Sequence, residues 1–432
     1  PHQKTLTVRI QLAMNQLFDL TAREFERQRD TLNLIASENY PSPKVLELLG
    51  SVWMNKYAEG KPGKRYYAGN MLADEMETFV SEQALAVFDQ TGGYDVNLQV
   101  LSGSPANAVV FLAMLEAGDT IMSLNLANGG HLSHLHATSN FLKFFKLVNY
   151  DVTETASGTF EIDESDYLAK LTLHKPKLVI LGFSAYPRSY QFAKLTAAAH
   201  AAGALVLADI AHINGLVAAG LHDTPFKAGT DGADFISMTT HKTMRGPRSA
   251  MLFAKKEHIG TINKTIFPGT HGGPHLHAIA AVGQSLLEIN GLDQYPDGRS
   301  FKDYSQTVVD TTKALEQGLA AAGLDIVSPS QNHLCLTKLP DSLDSLEFQK
   351  TLEDVGIITN RNMLPFDTKP AWRPSGMRLG TAALASRGLT VEQAGELGQL
   401  IGEFACGQTK PAAARSSVNN IVRTLAWHYA QI

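Results

Sequence analysis

Thr239-Thr240-His241-Lys242-Thr243-Met244-Arg245-Gly246-Pro247-Arg248 follows directly on the apolar run Ala233 to Met238, so a lysine stands among hydroxyls and a histidine just past a predicted strand. A lysine in that position invites covalent chemistry. An ammonium near other cations, or partly out of water, gives up its proton more easily, and the neutral amine can then form a Schiff base with an aldehyde. On its own the residue reads as a solvated loop lysine, and only a partner raises it above that.

A second strand end gives the lysine a partner. Ala204 to Asp209 is apolar until it closes on a carboxylate, with His212 shortly after. Buried strands do not end in carboxylates without a use for them. A pyridoxal phosphate enzyme needs a lysine for the aldehyde and an aspartate to keep the pyridine nitrogen protonated. Asp209 and Lys242 are of those types. Both lie at the carboxyl ends of predicted parallel strands, where open α/β sheets bind ligands.

The surrounding pattern supports such a sheet. Short apolar runs at Thr120–Leu124, Phe144–Val148, Leu178–Phe183, Ala204–Ala208, Phe235–Met238 and Ala250–Ala254 alternate with helical or loop segments, which predicts a mostly parallel sheet covered by helices. Helices are expected over residues 1–30, Met71–Phe88 (with Met76, Phe79, Val80 and Val87 on one side), Ala106–Glu116 and Tyr304–Ala321, and after Thr390. On the N-terminal helix Leu12, Leu17, Leu20 and Phe25 are spaced for one apolar face, suited to packing on a partner subunit. Ser37 to Gly69 has the Gly, Pro, Asn and Tyr content of a contact-bearing loop. Lys410–Arg415 reads as a short Ala-rich linker.

Eight stretches carry a family resemblance: LIASENY (34–40), NKYAEGKPGKRYY (55–67), SGSPAN (102–107), GGHLSH (129–134), FSAYPR (183–188), DIAH (209–212), TTHKTMRGPR (239–248) and SGMRLGT (375–381). In this order and spacing the chain resembles serine hydroxymethyltransferase. The resemblance implies an α/β fold of the fold-type I class. Residues 1–30 would form a helical arm, 31–290 a large cofactor domain on a mostly parallel seven-stranded sheet, and 291–432 a smaller C-terminal α/β domain. It implies pyridoxal phosphate bound covalently to Lys242, tetrahydrofolate as co-substrate, and a homodimer or dimer of dimers with shared sites.

Roles follow by matching positions. The resemblance places Ser102, Gly103 and Ser104 at the cofactor phosphate, and Gly272 and Gly273 at the phosphate of the neighbouring subunit's cofactor. His131 would stack on the pyridine ring, with Ser184 and His212 at the phenolic oxygen and His241 beside the phosphate. Arg378 would hold the amino acid carboxylate, a task suited to its planar fork, with Arg248 near the cofactor. Ser37, Tyr57 and Tyr67 would surround the substrate, Tyr57 from the partner chain, and Glu59 would carry the proton. The folate-lining positions are Leu126, Gly130, Leu132, Phe267 and Asn362. The spacing of His131, His134 and His136 also admits a metal reading, but no carboxylate or thiol stands nearby in sequence, so none is expected.

Several motifs depart from the family. PHSGSQAN reads Val100 to Asn107 as VLSGSPAN, AHGGHLTHG ends at Leu135, GPRGG reads Gly246 to Ala250 as GPRSA, and QGGP begins with His271. The cofactor anchors survive while their neighbours change. That pattern admits an α-methylserine hydroxymethyltransferase or a folate-independent aldolase. A catalytically silent or RNA-binding relative is disfavoured by the retention of Lys242, Asp209, Arg378 and Glu59.

Composition sets outer bounds. The 432 residues are 44% hydrophobic and 18% charged, with a formal net charge of −5, and no basic block is dense enough to track a nucleic acid backbone. Lys61, Lys64 and Arg65 form only a small local exception. Two distant cysteines, Cys335 and Cys406, suit a reducing compartment. The longest apolar stretch, Ala201 to Gly220, is broken by Asp209 and His212, so no membrane span is expected. These features suit a cytoplasmic enzyme; that it acts on an amino acid and a folate is what the resemblance implies.

Overall fold

A computed structural model describes residues 2–136 and 138–430, with side chains described from Gln16 onward. Its largest sheet has strands β1 (Tyr94–Asn97), β2 (Thr120–Leu124), β3 (Lys146–Tyr150), β4 (Leu178–Gly182), β5 (Leu205–Asp209), β6 (Phe235–Thr239) and β7 (Ala250–Lys255). They lie in the order β1-β7-β6-β5-β4-β2-β3. Every strand runs parallel to the others except β7, which is antiparallel to both neighbours. β4 and β6 are buried at every position, as a sheet covered on both faces requires. One apolar cluster holds Val179, Leu181, Val206, Ala208, Ile236 and Met238. The alternate residues Leu178, Ile180, Leu207 and Phe235 enter a second. β5 and β6 end at Asp209 and Thr239, so the residues that follow emerge side by side on one edge.

Helix α1 (His2–Arg29) precedes α2 (Met71–Phe88), α3 (Gly103–Met114), α4 (Leu276–Ile289), α5 (Phe301–Ala321) and α6 (Val391–Ala405). The buried face of α2 is not the expected stripe: Ala73, Glu77, Val80, Ala84 and Phe88 are inward, while Phe79 is 45% exposed. The cause is α4, whose Gly283 lets Val80 approach so closely that a Cβ there would sit 2.6 Å from its methyl. Leu17 and Leu20 of α1 are exposed, at 70% and 47%; Leu12 lies outside the described side chains.

The C-terminal part is built on a second, antiparallel sheet of β8 (Asp325–Ile326), β9 (Leu334–Lys338), β10 (Asn360–Asn362) and β11 (Gly376–Gly380), ordered β8-β9-β11-β10. α5 and α6 pack on one another through Leu315, Leu319, Leu397 and Ile401. Leu32 and Leu34 enter this same core, since Leu32–Asn33 pairs in parallel with Ile357–Ile358. The expected linker at Lys410–Arg415 is instead the start of a helix, Pro411–Val422. Proline at its first position and the following alanines favour helix there, and Val418 and Ile421 supply a buried face.

Candidate active site

The strand ends of β5 and β6 open on a cavity of about 540 Å³ that Lys242, Asp209, His212, His241, Arg248 and Arg378 line together. The loop carrying Lys242 is fixed from all sides. Thr240 Oγ1 donates to the Pro247 carbonyl at 2.6 Å, and Asn39 Nδ2 donates to the Lys242 carbonyl at 2.7 Å. The Tyr304 hydroxyl donates to the Thr243 carbonyl at 3.2 Å. Arg245 turns the chain at φ 58°, its guanidinium held between Tyr295 and Tyr304 at 3.9 and 4.0 Å.

Electrostatics prepare the lysine. Burial pushes the Lys242 ammonium down to about 8; Asp209 opposes this and the Arg378 and Arg248 charges add to it. Asp209 itself is buried, which favours its protonated form, yet its pKa lies well below the usual carboxylate range. The reason is hydrogen bonding: His134 Nε2 at 2.9 Å and Asn107 Nδ2 at 2.8 Å meet Oδ2, and the Ala211 N–H meets Oδ1 at 3.0 Å. Oδ1 keeps room for a further donor. His134 and Asn107 were not expected from the sequence in this role. A polar residue repeating near a strand end is no signal of where its side chain points.

The rest of the lining is consistent in type. α3 begins at Gly103 with Ser102 as an extended N-cap whose hydroxyl makes no capping bond, so it and the first-turn N–H groups remain available to a phosphate. Gly103 is required there, because a Cβ would come within 2.6 Å of the Thr239 methyl. His131 accepts from the Ser133 N–H at 3.1 Å through Nδ1, and burial lowers its pKa to about 4. His241 is pushed down to about 3, by burial first and then by Arg248 and Lys242, and its buried Nδ1 has no partner. Arg378 Nη1 donates to the Ser184 carbonyl at 2.7 Å and Nε to Asn360 Oδ1 at 3.2 Å, which leaves Nη2 for a carboxylate. Ser37, Ser104, Ser184, Leu126, Gly130, Leu132 and Asn362 line the same cavity.

Six expected residues are not in that lining. Tyr57, Glu59, Tyr67, Phe267, Gly272 and Gly273 are absent from the cavity wall and belong to a separate group, in which Tyr57 and Tyr67 are exposed and the other four half-buried. The Tyr57 hydroxyl donates to Glu59 Oε1 at 3.2 Å, and Tyr57 and Tyr67 meet edge to face at 5.2 Å. Glu59 Oε1 lies 2.5 Å from where a Gly272 Cβ would stand. Tyr66 packs on Phe267 with ring centroids 6.3 Å apart. Among the described residues no three His, Cys, Asp or Glu side chains are grouped to hold a metal ion.

A family model of serine hydroxymethyltransferase matches residues 10–401. The chain belongs to the serine hydroxymethyltransferase family. It is 41% identical over 416 residues to the serine hydroxymethyltransferase of Coprothermobacter proteolyticus, covering 96% of each chain. It is 42% identical over 392 residues to that of Sorangium cellulosum, covering 90% of this chain and 89% of the relative. With that of Koribacter versatilis the identity is 43% over 399 residues, covering 92% and 89%. Members of this family are pyridoxal phosphate enzymes that use tetrahydrofolate as co-substrate. The cavity fits the cofactor: a lysine whose pKa is lowered, an ionised aspartate with a free acceptor site, and the uncapped start of α3 lining the same cavity as His131.

Proposed function

We propose that the chain converts serine to glycine reversibly and transfers the one-carbon unit to tetrahydrofolate. The observation that carries this is the meeting of Lys242, Asp209 and Arg378 in one cavity, with the amine weakened as a base and the carboxylate held ionised. Pyridoxal phosphate, when bound, supplies an aldehyde carbon for an amine and a ring that takes up the electron pair released as a Cα–Cβ bond breaks. Lys242 would supply the amine that holds the aldehyde. Asp209 keeps a proton on the ring nitrogen. Arg378 takes the substrate carboxylate through the Nη2 that its other bonds leave free. Ser102 and the first turn of α3, with His241, would hold the phosphate, and Ser184 and His212 would take the phenolic oxygen; all of them line the cavity.

The second group completes the site from another copy of the chain. Glu59 and Tyr57 lie against Gly272 and Gly273, and beside them Val52, Met54, Tyr66, Met71 and Leu72 are 58–80% exposed, an apolar area of the kind that marks an interface. In a homodimer Glu59 carries the proton at the hydroxymethyl group of the partner's substrate, and Gly272 and Gly273 meet the partner's phosphate. Leu126, Leu132 and Asn362 flank the path for the folate. The acidic balance and the two separated thiols suit a reducing, cytoplasmic setting; no described helix is long and apolar enough to cross a membrane.

Serine is preferred over α-methylserine because relatives at 41–43% identity carry the serine name. Product analysis of the purified protein with serine and with α-methylserine, each with and without tetrahydrofolate, tests this. Strong acceleration of serine cleavage by folate, lost in Glu59→Gln, is expected. Turnover indifferent to folate, or alanine formed faster than glycine, would replace the proposal with an aldolase or an α-methylserine enzyme.

A further inference from the structure

We propose that His333 is a positioning residue: it donates from Nε2 to Nδ1 of His212 and so holds His212 with its Nε2–H turned into the Lys242 cavity. This rests on the cofactor reading given above. The two rings come from opposite parts of the chain, 121 residues apart, and their facing nitrogens are 3.1 Å from one another. The ring centroids are 5.3 Å apart. His212 lines the cavity. His333 is fully buried and does not line it, so it can act on a bound molecule only through His212.

His333 is placed rigidly. It stands immediately before β9, where Asn332 Oδ1 accepts from the Leu334 N–H at 3.1 Å and Asn332 Nδ2 donates to the Tyr186 carbonyl at 2.9 Å. The Thr381 N–H meets the His333 carbonyl at 3.3 Å. These bonds tie the histidine to both the C-terminal sheet and the loop after β4.

The direction of the shared hydrogen bond follows from charge and satisfaction. Burial and the nearby Lys242 and Arg378 cations keep both rings neutral, so one nitrogen of the facing pair carries a proton and the other accepts it. The remaining nitrogen of His333, Nδ1, is buried and has no hydrogen-bond partner; the Ala36 backbone, the smallest of the influences on the ring, makes no bond of ordinary geometry to it, and the geometry decides. A buried N–H left unpaired is costlier than a buried lone pair left unpaired. The proton of His333 therefore sits on Nε2, and His212 accepts through Nδ1. Its own proton is on Nε2, which makes His212 a donor to any oxygen in the cavity.

Two readouts on the full-length protein test this. Histidine 15N shifts report the tautomer of His212 without any cofactor, and fluorescence titration with pyridoxal phosphate reports affinity. His333→Phe removes the donor; His333→Gln puts an amide N–H near the place of Nε2. Wild type should show His212 protonated on Nε2 alone, His333→Phe a mixture of tautomers with about tenfold weaker cofactor binding, as for one neutral hydrogen bond, and His333→Gln recovery of most of that loss. A wild-type His212 protonated on Nδ1, or equal cofactor affinity in the folded Phe and Gln variants and wild type, would overturn the proposal. Should wild type take up no pyridoxal phosphate, the cofactor reading fails, and the tautomer alone decides the role of His333. If His333→Phe does not fold, the wild-type tautomer and His333→Gln decide it.

Discussion

At the level of single residues, Lys242 sets a cost that the fold accepts for the sake of its chemistry. Its ammonium has an ordinary pKa of 10.5 and falls to about 8 in the folded chain. Between those values the unfolded chain binds more protons than the folded one, so stability rises with pH across that window; below about 8 the full penalty is present. The penalty is about 3 kcal/mol. Chemical denaturation of the cofactor-free protein and of Lys242→Met should show the variant more stable at pH 7 by up to that amount, with the gap closing towards pH 10. A gap that stays constant with pH would mean that folding does not lower the Lys242 pKa. Arg378 makes a second prediction. Lys keeps its charge but loses the fork, and Ala loses both, so Arg378→Ala should weaken amino acid binding by about 2–5 kcal/mol and Arg378→Lys by less, with cofactor binding retained. Isothermal titration with serine checks the order.

Among the elements, the segment from Tyr57 to Tyr67 depends on one buried guanidinium. Arg65 pairs with Asp74 at 2.7 Å and Glu77 at 2.5 Å and donates to the carbonyls of Ala58 and Gly60 at 2.9 and 2.7 Å. Removing it leaves Glu77, which is 5% exposed, with no cation and only the Gln99 amide at 2.7 Å as partner. Arg65→Ala should therefore cost about 3–5 kcal/mol and release the loop that carries Glu59, measured as a fall in the unfolding midpoint together with loss of folate-dependent turnover. An altered family motif makes a second case. Leu135 stands where the family has glycine and adopts φ 71°, a strain of about 1–2 kcal/mol. It is also 1% exposed in the core below β2 and α3, and deleting such a side chain costs about 2–5 kcal/mol. Burial wins, so Leu135→Gly should lower stability in thermal unfolding despite relieving the backbone.

Reading the elements from sequence worked where the period was strong and the flanks were clear. β2 and α2 begin and end where their apolar patterns do, because both are bounded by polar or glycine-containing turns. β1, Tyr94–Asn97, was not foreseen: it has four residues, two of them polar, and is held at the sheet edge by pairing with β7 alone. The proposed site was legible where a charged residue ends or closely follows a buried strand, as at Asp209, the last residue of β5, and Lys242, three residues past β6. What holds Asp209 ionised was not, since Asn107 is 102 residues and His134 75 residues away in the chain. Only the fold brings them together.

For the whole molecule, the residues proposed to act divide into two groups that one chain does not join. Lys242, Asp209 and Arg378 share the cavity, while Tyr57, Glu59 and Gly272 form their own cluster outside it. The proposed remedy is a second copy, each chain supplying Glu59 to the other's Lys242, in a closed two-fold arrangement. Mixing two defective variants tests that arrangement and the reaction together. Lys242→Ala and Glu59→Gln are each unfolded, refolded alone or as an equal mixture, and assayed for folate-dependent serine cleavage. Each alone should be inactive, and the mixture should recover roughly a quarter of wild-type activity, because half the dimers are mixed and each carries one intact site. A mixture as inactive as its parents, from protein shown to have exchanged subunits, would contradict the shared site.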